Sequence, residues 1–111
     1  MLLMTPTQEV SQLEADLCYA FVDSTRILIL YALHEHPHNV TELTHKLGTS
    51  QSKISRHLKV LRDHQMVITS RQGATITYEL ADSRLIEALE ILRGVLCESI
   101  TIKSRLINGV S

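Results

Sequence analysis

Residues 41–63 read TELTHKLGTSQSKISRHLKVLRD, and the glycine inside them restricts the fold more than any other feature of the chain. Thr41 can cap a short helix over Glu42–Leu47, with Leu43 and Leu47 facing inward. Gly48 supplies the left-handed position that ends such a helix. Only Thr49 then separates it from Ser50, a second capping residue. The product is a short helix, a tight turn and another helix, which is a helix-turn-helix. In the second helix Ile54, Leu58 and Leu61 recur at i, i+4 and i+7 and form the buried stripe. Gln51, Ser52, Ser55, Arg56, Lys59 and Arg62 are left pointing outward. A face of amides, hydroxyls and cations reads base edges and grips phosphates, and no carboxylate interrupts it before Asp63.

The flanking segments fit around this unit. Residues 1–12 read as a flexible lead-in, residues 13–106 as one domain and residues 107–111 as a tail. Leu13, Leu17, Ala20 and Phe21 mark a first helix over Leu13–Val22. Asp23 and Ser24 offer caps for a second, from Thr25 to about Glu35, with Ile27, Leu30 and Tyr31 on one face. Pro37 disfavours helix at His36 and stops it there. Downstream, VITSR and TITYEL flank Gln72-Gly73-Ala74, a β-hairpin with Arg71 near its tip. The last helix runs from about Asp82 to Leu106, with Leu85, Leu89, Leu92 and Leu96 in a 4-3-4 seam that calls for a partner helix. Ile86, Ala88, Ile91, Val95, Ile100 and Ile102 widen that apolar surface beyond what a small monomer can cover, so a homodimer is expected. The fold class is therefore mainly α with a small β-hairpin.

Charge sharpens the functional reading. Val40–Arg71 holds six cations and two anions, a net of +4, while the remainder holds five cations and ten anions, a net of −5. A basic middle between acidic ends fits a localised polyanion-binding surface, and on charge alone it fits a solvated helix face equally well. Every apolar run is broken by charge well short of about 18 residues, and the N-terminus lacks secretory features, so no membrane partner and a cytoplasmic location are expected. In that compartment Cys18 and Cys97 are thiols rather than a structural disulfide. No phosphate loop, nucleophile elbow or triad is present, so an enzyme is not expected. His34, His36 and His38 in HEHPHN look like a metal site at first sight. They fall at a helix end running into a turn, without three convergent ligands, and are expected to be incidental there.

Together, the helix-turn-helix with SQSKISRHLKVLR, the wing RQGATITYEL and the terminal helix resemble the ArsR/SmtB family of winged helix-turn-helix repressors over about residues 13–100. The resemblance implies a cytosolic homodimer that occupies double-stranded operator DNA and releases it when an inducer binds. It places Ser50, Gln51, Ser52, Lys53, Ser55, Arg56, His57 and Lys59 on the recognition helix and Arg71 on the wing. It also puts the dimer contact on the first and last helices, in agreement with Leu13, Leu17, Leu85, Leu89, Leu92 and Leu96. One departure is Gln65, where the family usually has glycine, which implies a slightly strained helix end.

The family's metal motifs are incomplete here. Asn39 and Thr41 stand where an arsenic- and lead-type site has cysteines. Asp82, Arg84, Val95 and Glu98 fill the zinc-type window, which thereby loses both histidines. No cofactor is therefore certain. Cys18 and Cys97 are the remaining sensing candidates, for an oxidant, sulfane sulfur or a thiophilic metal or metalloid ion, the alternative being that both are small buried hydrophobes. The second thiol of the family's persulfide sensors would fall near Tyr31. The alternatives are sensing of a transition metal through histidines or carboxylates, no small-molecule inducer, or a winged-helix protein-interaction module.

Overall fold

A computed structural model describes the backbone of residues 3–107 and the side chains of residues 3–100. The order of elements is α1 (Pro6–Tyr19), α2 (Ser24–Glu35), β1 (His38–Asn39), α3 (Val40–Leu47), α4 (Gln51–Asp63), β2 (Val67–Gln72), β3 (Thr75–Leu80) and α5 (Arg84–Ile107). This is a winged helix-turn-helix. The expected Ile102 face and 107–111 tail lie outside the described side chains.

Two boundaries differ from expectation because capping boxes override the apolar spacing. The first helix begins at Pro6 rather than Leu13, so most of the expected lead-in is helical. Thr5 accepts from the Gln8 N–H at 3.2 Å while the Gln8 side chain accepts from the Thr5 N–H at 2.8 Å, and Pro6 fits the first helical turn. The helix ends at Tyr19, leaving Ala20 and Phe21 beyond it. Asn39, not Thr41, caps α3, through the same reciprocal arrangement with Glu42 at 2.8 and 3.0 Å. Ser50 caps α4 as expected, accepting from the Lys53 N–H at 3.2 Å.

HEHPHN is also more than a turn. Asn39 and His38 pair antiparallel with Thr77 and Tyr78, so the hairpin becomes a three-stranded sheet in the order β1-β3-β2. His38 is buried, and its ring stacks on that of His36 with centroids 4.0 Å apart. Each ring is held through Nδ1 to a backbone carbonyl, that of His36 for His38 and that of Pro37 for His36.

The core is aliphatic: Ile29, Leu30 and Leu33 of α2, Leu43 of α3, Ile54, Leu58 and Leu61 of α4, Met66, Val67, and Ile86 and Leu89 of α5. Burying such side chains contributes about 1.5–3 kcal/mol each. Leu89 therefore faces its own chain, which corrects its expected place in the dimer seam; Leu85 is half-buried beside it. The rest of the seam is uncovered. Leu92, Leu96, Ile91, Val95 and Ile100 are all exposed, as are Leu13 and Leu17 on α1, a helix that buries nothing. These two helices project from the core, and the radius of gyration is 17.8 Å against about 13 Å for a compact chain of this length.

Candidate nucleic-acid interface

The capped turn between α3 and α4 presents α4 to solvent along one side. Gly48 takes φ +63°, and its amide donates to the Thr44 carbonyl at 3.0 Å, which lets the chain reverse within two residues. Leu43 and Ile54, both fully buried, hold the two helices together. Ser50, Gln51, Ser52, Lys53, Ser55, Arg56, Lys59 and Arg62 are all exposed. Asp63 sits at the far end of this face and pairs with Lys59 at 3.3 Å.

The wing stands beside it. Gly73, φ +63°, opens a two-residue turn between Gln72 and Thr75, and Arg71 is exposed near the tip with its Nε donating to the Gly73 carbonyl at 3.2 Å. Ile76 lies opposite Arg71 across the strands and is also exposed. Between α4 and the wing runs a cleft lined by Ser55, Leu58, Lys59, Arg62, Asp63 and Tyr78, its one carboxylate, Asp63, being paired with Lys59. Hydroxyls and cations in such a cleft suit a phosphate backbone.

His57 is the exception among the expected reading residues. It is buried and faces α2, where Arg26 Nη1 lies 3.2 Å from its Nδ1. The signal was present in the spacing: Ile54, His57, Leu58 and Leu61 are i, i+3, i+4 and i+7, one helix face. Arg26 had no such signal, because a single cation in the apolar run of α2 reads as a solvated side chain. Asp23 caps α2 by accepting from the Thr25 and Arg26 N–H groups at 2.8 and 3.3 Å. Burial alone would raise its pKa, yet those two bonds hold it below the ordinary value.

The sensing candidates are dispersed. Cys18 and Cys97 are both exposed and are not joined in a disulfide. In the zinc-type window Asp82 is committed to Arg84, accepting from its backbone N–H at 2.9 Å and from Nη2 at 2.6 Å. Those bonds hold the Asp82 carboxyl down to about 2. Tyr31 is half-buried, and burial followed by a bond to Glu90 raises its phenol. Among the described residues no three His, Cys, Asp or Glu side chains converge on a possible metal position. No single described helix is long and apolar enough to cross a membrane.

Comparison with known proteins agrees with this architecture. Residues 23–69 match the family described as bacterial regulatory protein, arsR family. The nodulation protein NolR of Rhizobium meliloti is 33% identical over 87 residues, covering 78% of this chain and 71% of NolR. The chain belongs to the ArsR family. Its similarity to the regulator NmtR of Mycobacterium tuberculosis is 35% over 71 residues, 64% of this chain and 59% of that regulator's length. The crystal structure of NolR from Sinorhizobium fredii superposes with a TM-score of 0.74 at 31% identity, covering 86% of this chain and 96% of the other. This ArsR-family chain thus has the winged helix-turn-helix fold of DNA-binding transcriptional regulators, with α4 as the second helix of its helix-turn-helix.

Proposed function

We propose that this protein is a homodimeric transcriptional repressor that holds duplex operator DNA with α4 and the wing. It leaves the DNA when a thiol-reactive or thiophilic agent engages Cys18 or Cys97. The observation that carries the DNA reading is the outward side of α4, where Gln51, Ser52, Lys53, Ser55, Arg56, Lys59 and Arg62 are exposed together, as is Arg71 on the wing. Two such helices in a dimer would enter successive major grooves about one helical turn apart. Pairing through α1 and α5 is supported by their uncovered leucines: α1 buries no residue within one chain, and α5 leaves Leu92 and Leu96 exposed beyond Leu89. Phosphate contacts would supply most of the affinity and make it fall steeply with salt.

The inducer reading rests on position: both thiols are exposed and lie on the two helices assigned to the dimer contact. Metal sensing is the second reading, supported by the solved cadmium metal-sensor CMTR from Mycobacterium tuberculosis at 38% identity.

The test uses a fluorescein-labelled duplex recovered by selection from a random library, with affinity read by anisotropy at one salt concentration. Arg56→Ala is expected to weaken binding by about tenfold or more while leaving the dimer intact. Undiminished binding would overturn the assigned face. Treating the protein with an oxidant, arsenite or cadmium then separates the inducers: a loss of affinity abolished when Cys18 and Cys97 are both changed to Ser supports the thiol reading, and a cadmium response that survives the double substitution supports the metal reading.

A further inference from the structure

One charged side chain and one histidine are buried in the otherwise aliphatic space between α2 and α4, with the half-exposed Asp23 at its edge. Arg26 is 7% exposed and His57 5%. The guanidinium is fully engaged: Nε donates to the Ala20 carbonyl at 2.9 Å, Nη2 to the Tyr19 carbonyl at 3.2 Å, and Nη1 to Nδ1 of His57 at 3.2 Å. Its Cζ also lies 5.6 Å from the centre of the Tyr19 ring. A guanidinium only donates, so Nδ1 of His57 must be the nitrogen carrying the lone pair, and Nε2 must carry the proton. Nε2 is buried without a hydrogen-bond partner among the described residues. The nearby Oδ1 of Asp23 stands 3.6 Å away, already occupied in capping α2.

We propose that Asp23, Arg26 and His57 form a proton-operated latch. Neutral His57 holds the recognition helix against α2 in its DNA-reading position, and protonation at Nδ1 releases it, so duplex binding falls in mild acid. A second proton can go only to Nδ1, where it would meet a guanidinium that cannot give up its own. Two cations at that separation in a buried site repel strongly, so the ring must turn or α4 must shift. Burial lowers the pKa of His57. The charged groups acting on it are Asp23 and Arg26 from α2 and Arg56 and Lys53 from α4; Asp23 favours the charged ring and the three cations oppose it. None of these groups comes from α3 or β2, the other elements packed on α4. Because His57 and the outward face belong to one helix, a shift of α4 that separates Nδ1 from the guanidinium also moves the residues that meet DNA.

This inference rests on the duplex-binding reading above, and its sign separates it from ordinary histidine titration. Positive charge added anywhere on the outer surface strengthens binding to a polyanion. The latch predicts weaker binding. The experiment measures anisotropy with the selected duplex at pH 7.5 and 5.5 in the same salt, for the full chain and for His57→Asn. Asparagine keeps an oxygen acceptor near the Nδ1 position and cannot titrate. The wild type is expected to lose about tenfold in affinity between the two pH values, and His57→Asn under about twofold, with helix content by circular dichroism unchanged in both. Wild-type affinity that holds or rises in acid, or an equal fall in both proteins, overturns the latch. If His57→Asn does not fold, the ring nitrogens of wild-type His57 are read by NMR. An Nε2–H tautomer titrating below 6.5 supports the proposal, and an Nδ1–H tautomer or a midpoint above 6.5 overturns it. Failure to recover any duplex at pH 7.5 would sink the DNA reading and the latch with it, whereas binding at pH 7.5 that persists in acid sinks the latch alone.

Discussion

Arg26 Nη1 of α2 lies 3.2 Å from Nδ1 of His57 on α4, so α4 is fastened to the core by a polar contact within an aliphatic interior. The same guanidinium gathers the carbonyls of Tyr19 and Ala20, where α1 gives way to α2. One side chain thus ties together the end of α1, the start of α2 and the middle of α4. Arg26→Met should lower stability by about 3 kcal/mol, because His57 and two carbonyls lose their donor in a buried site. Arg26→Lys should recover only part of that loss, since an ammonium cannot span the three acceptors. Urea unfolding of the three proteins checks both.

Stability should depend on pH through His57. Its pKa is lowered in the folded chain from the ordinary 6.5, so below 6.5 the unfolded chain binds more protons than the folded one. The contribution is therefore complete above pH 6.5 and is lost as pH falls toward the folded value. The slope cannot exceed about 1.4 kcal/mol per pH unit for one proton. Melting temperatures measured from pH 7.5 down to 5.5 should decline for the wild type and decline less for His57→Asn.

The two ends of the helix-turn-helix should respond oppositely to glycine. Gln65 sits at φ +60°, a left-handed backbone that accounts for the slightly strained helix end implied by its departure from the family pattern. The Met66 N–H reaches the Leu61 carbonyl at 2.9 Å, and the Gln65 N–H reaches that of Arg62 at 3.0 Å, the hydrogen bonding of a glycine-type helix end. Gln65→Gly should therefore stabilise by about 1 kcal/mol. Gly48→Ala should cost about the same, through its backbone alone, because a Cβ there meets nothing within 4 Å. Thermal melts would show the two shifts with opposite sign.

Substitutions along α5 should divide by position. Leu89 is packed in the chain's own core, and Leu89→Ala should cost about 2–3 kcal/mol. Leu96 is exposed in one chain and assigned to the dimer contact, so Leu96→Glu should yield folded monomers in sedimentation velocity. A Leu96→Glu protein that remains dimeric would remove that leucine from the contact.

Much of this arrangement was legible in the residues. Gly48, Ser50 and the Ile54, Leu58 and Leu61 stripe specified the helix-turn-helix because each is a local constraint: a left-handed turn, a cap and a helical period. What escaped was non-local or reciprocal. Side chains at Gln8 and Glu42 move helix starts by reaching back, while apolar spacing reports only what is buried later along the helix. His38 becomes a strand residue only when β3 arrives 40 residues on. Arg26 is buried by the convergence of three segments, which no local pattern announces. His57 was readable from its place on the inner stripe, but its polarity argued for the outer face.

The central claim is that the outward side of α4 meets duplex DNA, and an amide chemical-shift titration tests it most directly. Adding the selected duplex to isotope-labelled protein should move the signals of residues 50–62 and of Arg71 most, with α1 and the exposed half of α5 little changed. Shifts concentrated on α1 or α5, with Gln51, Ser52, Ser55 and Arg56 undisturbed, would contradict it.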